Sequence, residues 1–127
     1  KARRDHVSPL STQAIAVLKD LLCITGGGRY LFPHRSGKGF TTPNRLTYAM
    51  RDMNLGRGTT PHCWRTTFST WANENGYRPD AIERQLAHVE SNKVRATYNK
   101  ALLLDQRRTL LQDWADYLGA AEGSGTA

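Results

Sequence analysis

Apolar positions along this chain recur at helical spacing far more often than they alternate. Ser11 is placed to cap a helix through Cys23, on which Ile15, Leu18 and Leu22, flanked by Ala14, Val17 and Leu21, make a broad apolar stripe. Gly26, Gly27 and Gly28 stop that helix; no Gly-Lys-Ser/Thr follows them, so they read as a turn and not as a phosphate-cradling loop. Thr42-Pro43 has the form of a cap followed by proline in the first turn, and predicts a helix to about Met53 carrying Leu46, Ala49, Met50 and Met53. Gly56 and Gly58 break the chain before Thr60-Pro61 repeats the same signal. The helix that begins there should end near Gly76, with Trp64, Phe68, Trp71 and Ala72 on a buried face. Pro79 opens a short helix through about Ala87 that turns Ile82 and Leu86 inward. A last helix aligns Leu103, Arg107, Leu110, Leu111, Trp114 and Leu118 and should stop at Gly119, leaving a frayed tail.

Only the first residues, Lys1 to Val7, look like a strand, and a preceding segment is expected because no partner strand comes before them. There is no internal repeat. The fold class is therefore mainly α with a small β-hairpin remnant, one domain over residues 1–118 and a flexible tail over 119–127. A chain of 127 residues with 39% apolar content suffices for one core.

Charge sharpens this picture. The net charge is +7 and the isoelectric point near 9.9, yet the excess sits in one half. Residues 1–65 carry eleven Lys/Arg against three Asp/Glu, while residues 66–127 carry seven against eight. A one-sided positive field suits the phosphate backbone of a nucleic acid, where each neutralised phosphate releases condensed counterions. Cys23 and Cys63 lack the paired spacing of a zinc site or a disulfide framework, and no apolar run approaches the ~20 residues of a membrane span. A cytoplasmic or nucleoid setting, with no membrane association, is expected.

Candidate chemistry begins on the helix after Pro61. His62 and Arg65 lie three residues apart, His62 about 200° and Arg65 about 100° around from Trp64 at ~100° per residue, so they are presented together away from the Trp64 side. Imidazole beside guanidinium fits an anion such as phosphate, the guanidinium supplying a bidentate fork. His-x-x-Arg alone also fits an exposed polar pair, and the context decides. His62-Cys63-Trp64-Arg65 is followed by Leu86-Ala87-His88-Val89 after a proline-led helix, then by Tyr98 ten residues beyond His88.

In residue type, order and spacing this set resembles the tyrosine recombinases and phage integrases. The run Leu86-Ala87-His88-Val89-Glu90, Asn92-Lys93-Val94-Arg95 and Tyr98-Asn99 is similar to the prophage and genomic-island branch. A catalytic lysine in that family sits on a β-hairpin eight residues before a proline; Lys1 stands eight residues before Pro9, with Arg3, Arg4 and His6 between them. The resemblance covers residues 1 to about 118.

The resemblance implies the catalytic-domain fold of the DNA breaking and rejoining enzymes, and site-specific recombination that integrates or excises a prophage or mobile element. Tyr98 would attack a scissile phosphate, giving a 3′-phosphotyrosyl enzyme and a free 5′-hydroxyl. A phenol with a reference pKa of ~10 needs help to ionise near neutrality, and Arg65 and His88 are the candidates. Arg65 would also bind a nonbridging oxygen, His62 would donate to the phosphate or assist the tyrosine, and Lys1 would protonate the departing 5′-oxygen. Neither metal nor cofactor is implied, nor any small-molecule substrate. The partners would be double-stranded DNA and other copies of the chain, a tetramer at full length, with Arg3, Arg4, Arg35, Lys38, Lys93 and Arg95 as the candidate DNA contacts.

One departure stands out. The family carries a further arginine upstream of the lysine hairpin, and no such stretch precedes Lys1. An amino-terminally truncated piece with little turnover alone is therefore expected. Three other readings remain open: a non-catalytic DNA-binding remnant of an integrase, a type IB topoisomerase that relaxes DNA by the same phosphotyrosine chemistry, and a helical protein docking a partner through its terminal Leu/Trp stripe.

Overall fold

The computed structural model describes residues 6–42, 44–55, 58–88 and 103–123. Within them five helices follow one another: α1 (Thr12–Thr25), α2 (Asn44–Asp52), α3 (Pro61–Glu74), α4 (Pro79–Gln85) and α5 (Leu104–Gly123). The fold class is mainly helical, as the periodicity implies. Among the described residues the one strand-like pairing is an isolated antiparallel bridge between Pro33 and Phe40. The hairpin expected near Lys1 falls largely outside the described residues, and His6 and Val7, which lie inside, carry no strand.

The chain divides into two compact units, residues 13–67 and residues 1–12 with 68–127, the boundary falling inside α3. The second unit holds most of the core: Phe68, Ala72, Ile82, Leu86 and Leu110 are buried together, with Trp71, Tyr77, Leu111 and Trp114 packed against them. Phe68 meets Trp114 edge-on at 5.7 Å, and Trp114 in turn lies 5.1 Å from Trp71, an arrangement that adds directional aromatic contact to the burial. Burial of each large side chain here contributes about 1.5–3 kcal/mol.

A buried cation ties the elements of this unit together. Arg107 of α5 is 1% exposed, its Nε donating to Gln85 Oε1 at 2.9 Å and its Nη2 to the Val7 carbonyl at 2.5 Å. Gln85 Nε2 donates onward to Ser8 Oγ at 2.8 Å, and both the backbone N–H and the hydroxyl of Thr12 donate to Gln112 Oε1 of α5. The segment before α1 and the first residue of α1 are thus fastened to α4 and α5 by side chains 77 to 100 residues away in sequence, and buried arginine nitrogens find acceptors as they must. Burial, and then the neighbouring Arg84 cation, lower the Arg107 pKa, but a guanidinium remains charged.

Helix ends follow local chemistry. α3 closes at Gly76, whose φ of 75° lets its N–H reach Asn73 O while the Tyr77 N–H reaches Ala72 O. That is the paired closure of a left-handed cap and the stop the sequence predicts. α2 ends the same way at Asn54, φ 53°, close to the stop near Met53 that the pattern predicts. Asparagine tolerates the left-handed region better than most residues, which is why the helix stops there.

Two expectations are corrected, the burial of Trp64 and the stop at Gly119. Trp64 is 52% exposed, because the side chains that bury the apolar face of α3 meet it from Phe68 onward. The α1 stripe is no core: α1 has no buried residue, and Ile15, Val17 and Leu22 are exposed, since the unit of residues 13–67 has only Met50 as a buried hydrophobic among the described residues. Leu46 and Met53 are exposed for the same reason. α5 runs through Gly119 to Gly123; a glycine in an exposed helix costs only about 1 kcal/mol, and Ala120 and Ala121 beyond it favour the helix.

Two stability predictions follow from the second unit. Arg107→Ala strands the Gln85 and Val7 acceptors and opens a cavity, so chemical denaturation should show a loss of about 3 kcal/mol; a change below about 1 kcal/mol would contradict the fastening role. Tyr77 donates its hydroxyl to Asp113, and burial, that hydrogen bond and the carboxylate charge push its pKa from 10.0 up to about 12. A folded value above the unfolded one means the contribution is whole below pH 10.0 and disappears as pH rises through about 12. Denaturation midpoints should therefore fall across that window, and Tyr77→Phe should flatten the fall.

Candidate active site

Cap and proline at Thr60-Pro61 set the first turn of α3, with the Cys63 N–H bonded to Thr60 O at 3.0 Å. His62 and Arg65 follow at positions that share one side of the helix, and both are exposed, as the spacing predicts. Between them the Cys63 thiol lies 3.4 Å from the Thr60 hydroxyl; hydrogen bonds from the Thr60 side chain and backbone lower its pKa. The thiol is exposed. Sequence reasoning saw in Cys63 only the absence of a paired motif, and the helix-start position of the Thr60-Pro61 signal was the clue available.

His88 belongs to the other unit and stands at the end of α4. Leu86 caps α4 in right-handed conformation, Ala87 then turns left-handed at φ 55°, and its N–H bonds Arg84 O at 3.2 Å. The His88 N–H bonds Glu83 O at 3.0 Å, completing the same paired closure found after α3. The imidazole returns to the same residue: Nδ1 lies 2.7 Å from Glu83 Oε2. Both side chains are about half exposed, so the contact contributes at most ~1 kcal/mol to stability. Its consequence is directional, because the contact engages Nδ1 and turns that edge of the ring toward Glu83.

The basic loop also has defined geometry. The Pro33–Phe40 bridge closes a turn in which the His34 N–H bonds Gly39 O at 3.1 Å and the Gly37 N–H bonds His34 O at 2.9 Å. Gly37 and Gly39 hold positive φ, which the reversal requires. Arg35 and Lys38 are exposed on it, accessible to an acidic partner.

The structure therefore groups His62 with Arg65 on α3, places Arg35 with Lys38 on one turn, and sets His88 on its own unit. Lys1, Arg3, Arg4, Lys93, Arg95 and Tyr98 lie outside the described residues. Among the described residues no three His, Cys, Asp or Glu side chains gather as a metal site would need, and no helix is long and apolar enough to cross a membrane.

A family model described as the phage integrase family matches residues 1–103. The chain is 44% identical over 117 residues to the prophage integrase IntZ of Escherichia coli, an alignment covering 91% of this chain and 29% of that protein. It is 39% identical over 128 residues to the prophage integrase IntA of Escherichia coli, covering 96% and 30%. With the integrase of Enterobacteria phage P4 it shares 40% identity over 124 residues, covering 93% and 28%. The chain thus spans less than a third of the length of these curated relatives. No solved structure matches it significantly.

The cap that positions His88 yields its own prediction. An alanine in the left-handed region costs about 1–2 kcal/mol, partly offset by the greater unfolded freedom of glycine. Ala87→Gly should stabilise the chain by about 0.5–1 kcal/mol, visible as a rise in Tm of a few degrees; a fall in Tm would show that the Ala87 methyl makes contacts that outweigh the strain.

Proposed function

We propose that this chain, which belongs to the phage integrase family, supplies the nucleophile and most of the phosphate-binding groups of a tyrosine recombinase that cuts and rejoins duplex DNA. Residues 1–118 are read as part of its catalytic domain. The observation that carries the reading is the exposed His62–Arg65 pair on one side of α3, inside a family match that also spans His88 and Tyr98.

In this reading Arg65 forks onto a nonbridging oxygen of the scissile phosphate and His62 donates a further hydrogen bond, drawing negative charge away from phosphorus as the new bond forms. Tyr98 attacks in line; its oxygen bonds to phosphorus while the 5′-oxygen of the broken strand departs and takes a proton from Lys1. His88 accepts the phenolic proton as Tyr98 ionises. The covalent ester keeps the free energy of the broken bond, so a 5′-hydroxyl from a second duplex reverses the step without ATP. Arg3, Arg4, Arg35, Lys38, Lys93 and Arg95 would follow the DNA backbone, with a salt-dependent affinity.

Assembly of four copies on DNA, excision or integration of a mobile element as the outcome, and work at the bacterial nucleoid belong to the same reading.

A longer polypeptide carrying these residues, incubated with a pool of nicked duplexes of random sequence, should form a covalent adduct that survives denaturing electrophoresis. Tyr98→Phe should abolish the adduct and leave DNA affinity within about twofold, since only one hydroxyl is lost. An adduct that persists in the variant would refute Tyr98 as nucleophile; no adduct in the unaltered protein would favour a DNA-binding role without chemistry.

A further inference from the structure

The unit of residues 13–67 keeps its rings outside. Phe32, Phe40 and Tyr48 are exposed, Phe40 at 64%, in a part of the chain whose charge is all of one sign. From residue 21 to residue 51 there are five Lys/Arg and no Asp/Glu. Apolar ring surface left in water costs free energy, and these rings stay uncovered within the described residues.

Local structure gathers part of that surface. The Thr41 N–H bonds Phe32 O at 2.9 Å and the Pro33–Phe40 bridge closes the turn between them, bringing Phe40 back to the start of its own loop. The Phe40 ring lies 5.7 Å from the Tyr30 ring, and the Arg29 guanidinium lies 5.6 Å from the centre of that same Tyr30 ring. Cation, ring and ring thus form one contiguous row, in which Phe40 is the more open ring. Arg35 and Lys38 stand exposed on the turn that joins its two arms. Among the described residues no carboxylate pairs with Arg29, Arg35 or Lys38.

Chemistry narrows what such a row can take. Cations without a carboxylate suit a polyanion, and flat exposed rings suit flat partners with an open face. A duplex offers the charge but not the face, because its bases already stack on one another. An unpaired strand offers both, a phosphate at every step and a π-face on every base. An anionic lipid surface has the charge and apolar depth but no planar group to match the rings, and membership of the phage integrase family favours nucleic acid.

We propose that the turn of residues 29–41 binds unpaired single-stranded nucleic acid, a base stacking on Phe40 beside Tyr30 and Arg29 while Arg35 and Lys38 hold the flanking phosphates. Stacking of this kind tolerates any base, so the site carries no sequence preference of its own. It is separate from the groups assigned to cleavage, and rests on the recombinase reading only for the source of the strand. A strand cut from one duplex and joined to another must first leave its complement, and the turn holds it during that passage.

The test is made on this chain with a fluorescently labelled oligothymidylate of about a dozen nucleotides, its binding followed by anisotropy beside that of a duplex of equal length. Phe40→Ala should weaken single-strand binding about tenfold and duplex binding by less than about twofold. Phe40→Trp, which keeps a ring to stack on, should bind the single strand as the unaltered chain does, whereas Phe40→Leu, which keeps only apolar bulk, should resemble Phe40→Ala. Lys38→Ala should lower the slope of log affinity against log salt by about 0.7 for the single strand. Circular dichroism reports in each variant that the helices are intact, and the Trp and Leu variants keep the comparison decisive if the Ala variant unfolds. Absence of single-strand binding, a Phe40→Leu variant that binds like the unaltered chain, or an equal loss for strand and duplex overturns the proposal. Phosphatidylserine vesicles that displace the oligonucleotide in a Phe40-dependent way overturn it in favour of a membrane surface. Phe40-dependent strand binding with no covalent adduct in the longer polypeptide sinks the recombinase reading alone; a normal adduct with no strand binding sinks this site alone.

Discussion

A buried guanidinium cannot be left without acceptors, and the second unit is built around satisfying one. Arg107 sits in the core beside Leu110, and the groups that answer it come from α4 and from the segment before α1. Because Gln85 accepts from Arg107 while donating to Ser8, the position of the segment after His6 and the position of the α4 end are set by one network. An apolar residue at 107 would fill the space but would leave three elements free to slide. Removing one partner of such a network costs more than the network's net contribution, since the remaining groups stay buried and unanswered.

That fastening places His88 in a defined frame. Two residues separate the Gln85 amide from the imidazole, and between them the Leu86–Ala87 cap leaves the backbone little freedom. Ala87 accepts an unfavourable conformation there, and local strain of this kind persists only where surrounding contacts over-determine the geometry. The core residues Ile82 and Leu86 hold the inner face of α4, and Glu83 on the outer face meets the His88 ring at 2.7 Å. Packing, hydrogen bonding and side-chain direction thus meet at one short helix. In the unit of residues 13–67 a different logic applies: the cap and proline before α3 set the helix phase, and the phase puts His62 and Arg65 on a common side.

Much of the helical order was legible in the sequence because its signals are local. Proline at the head of α3 and α4 and Gly76 at the tail of α3 act through the residue's own backbone preferences, and all three stand where the pattern predicts. What failed was the extent of burial. Periodicity says that Trp64, Ile15 and Leu22 could line an apolar face, but burial depends on which elements arrive opposite, and those partners are distant in sequence. Arg107 shows the reverse case. It was placed on the apolar stripe by spacing, yet nothing local says that Gln85 and Val7 would supply its acceptors. For the site, the motif set rests on resemblance, whereas the Glu83–His88 contact depends on the left-handed turn at Ala87, an unusual conformation that alanine does not advertise.

The central proposal is that His62, Arg65 and His88 serve one phosphate together with Tyr98. The most direct measurement is a titration of the labelled chain with a short nicked duplex, following the side-chain signals of the two histidines and the arginine by NMR. The account predicts that all three shift along one binding curve with a single Kd, and that salt moves the three curves in parallel. Signals that respond with separate affinities, or a His88 signal that stays still while the α3 pair responds, would contradict it.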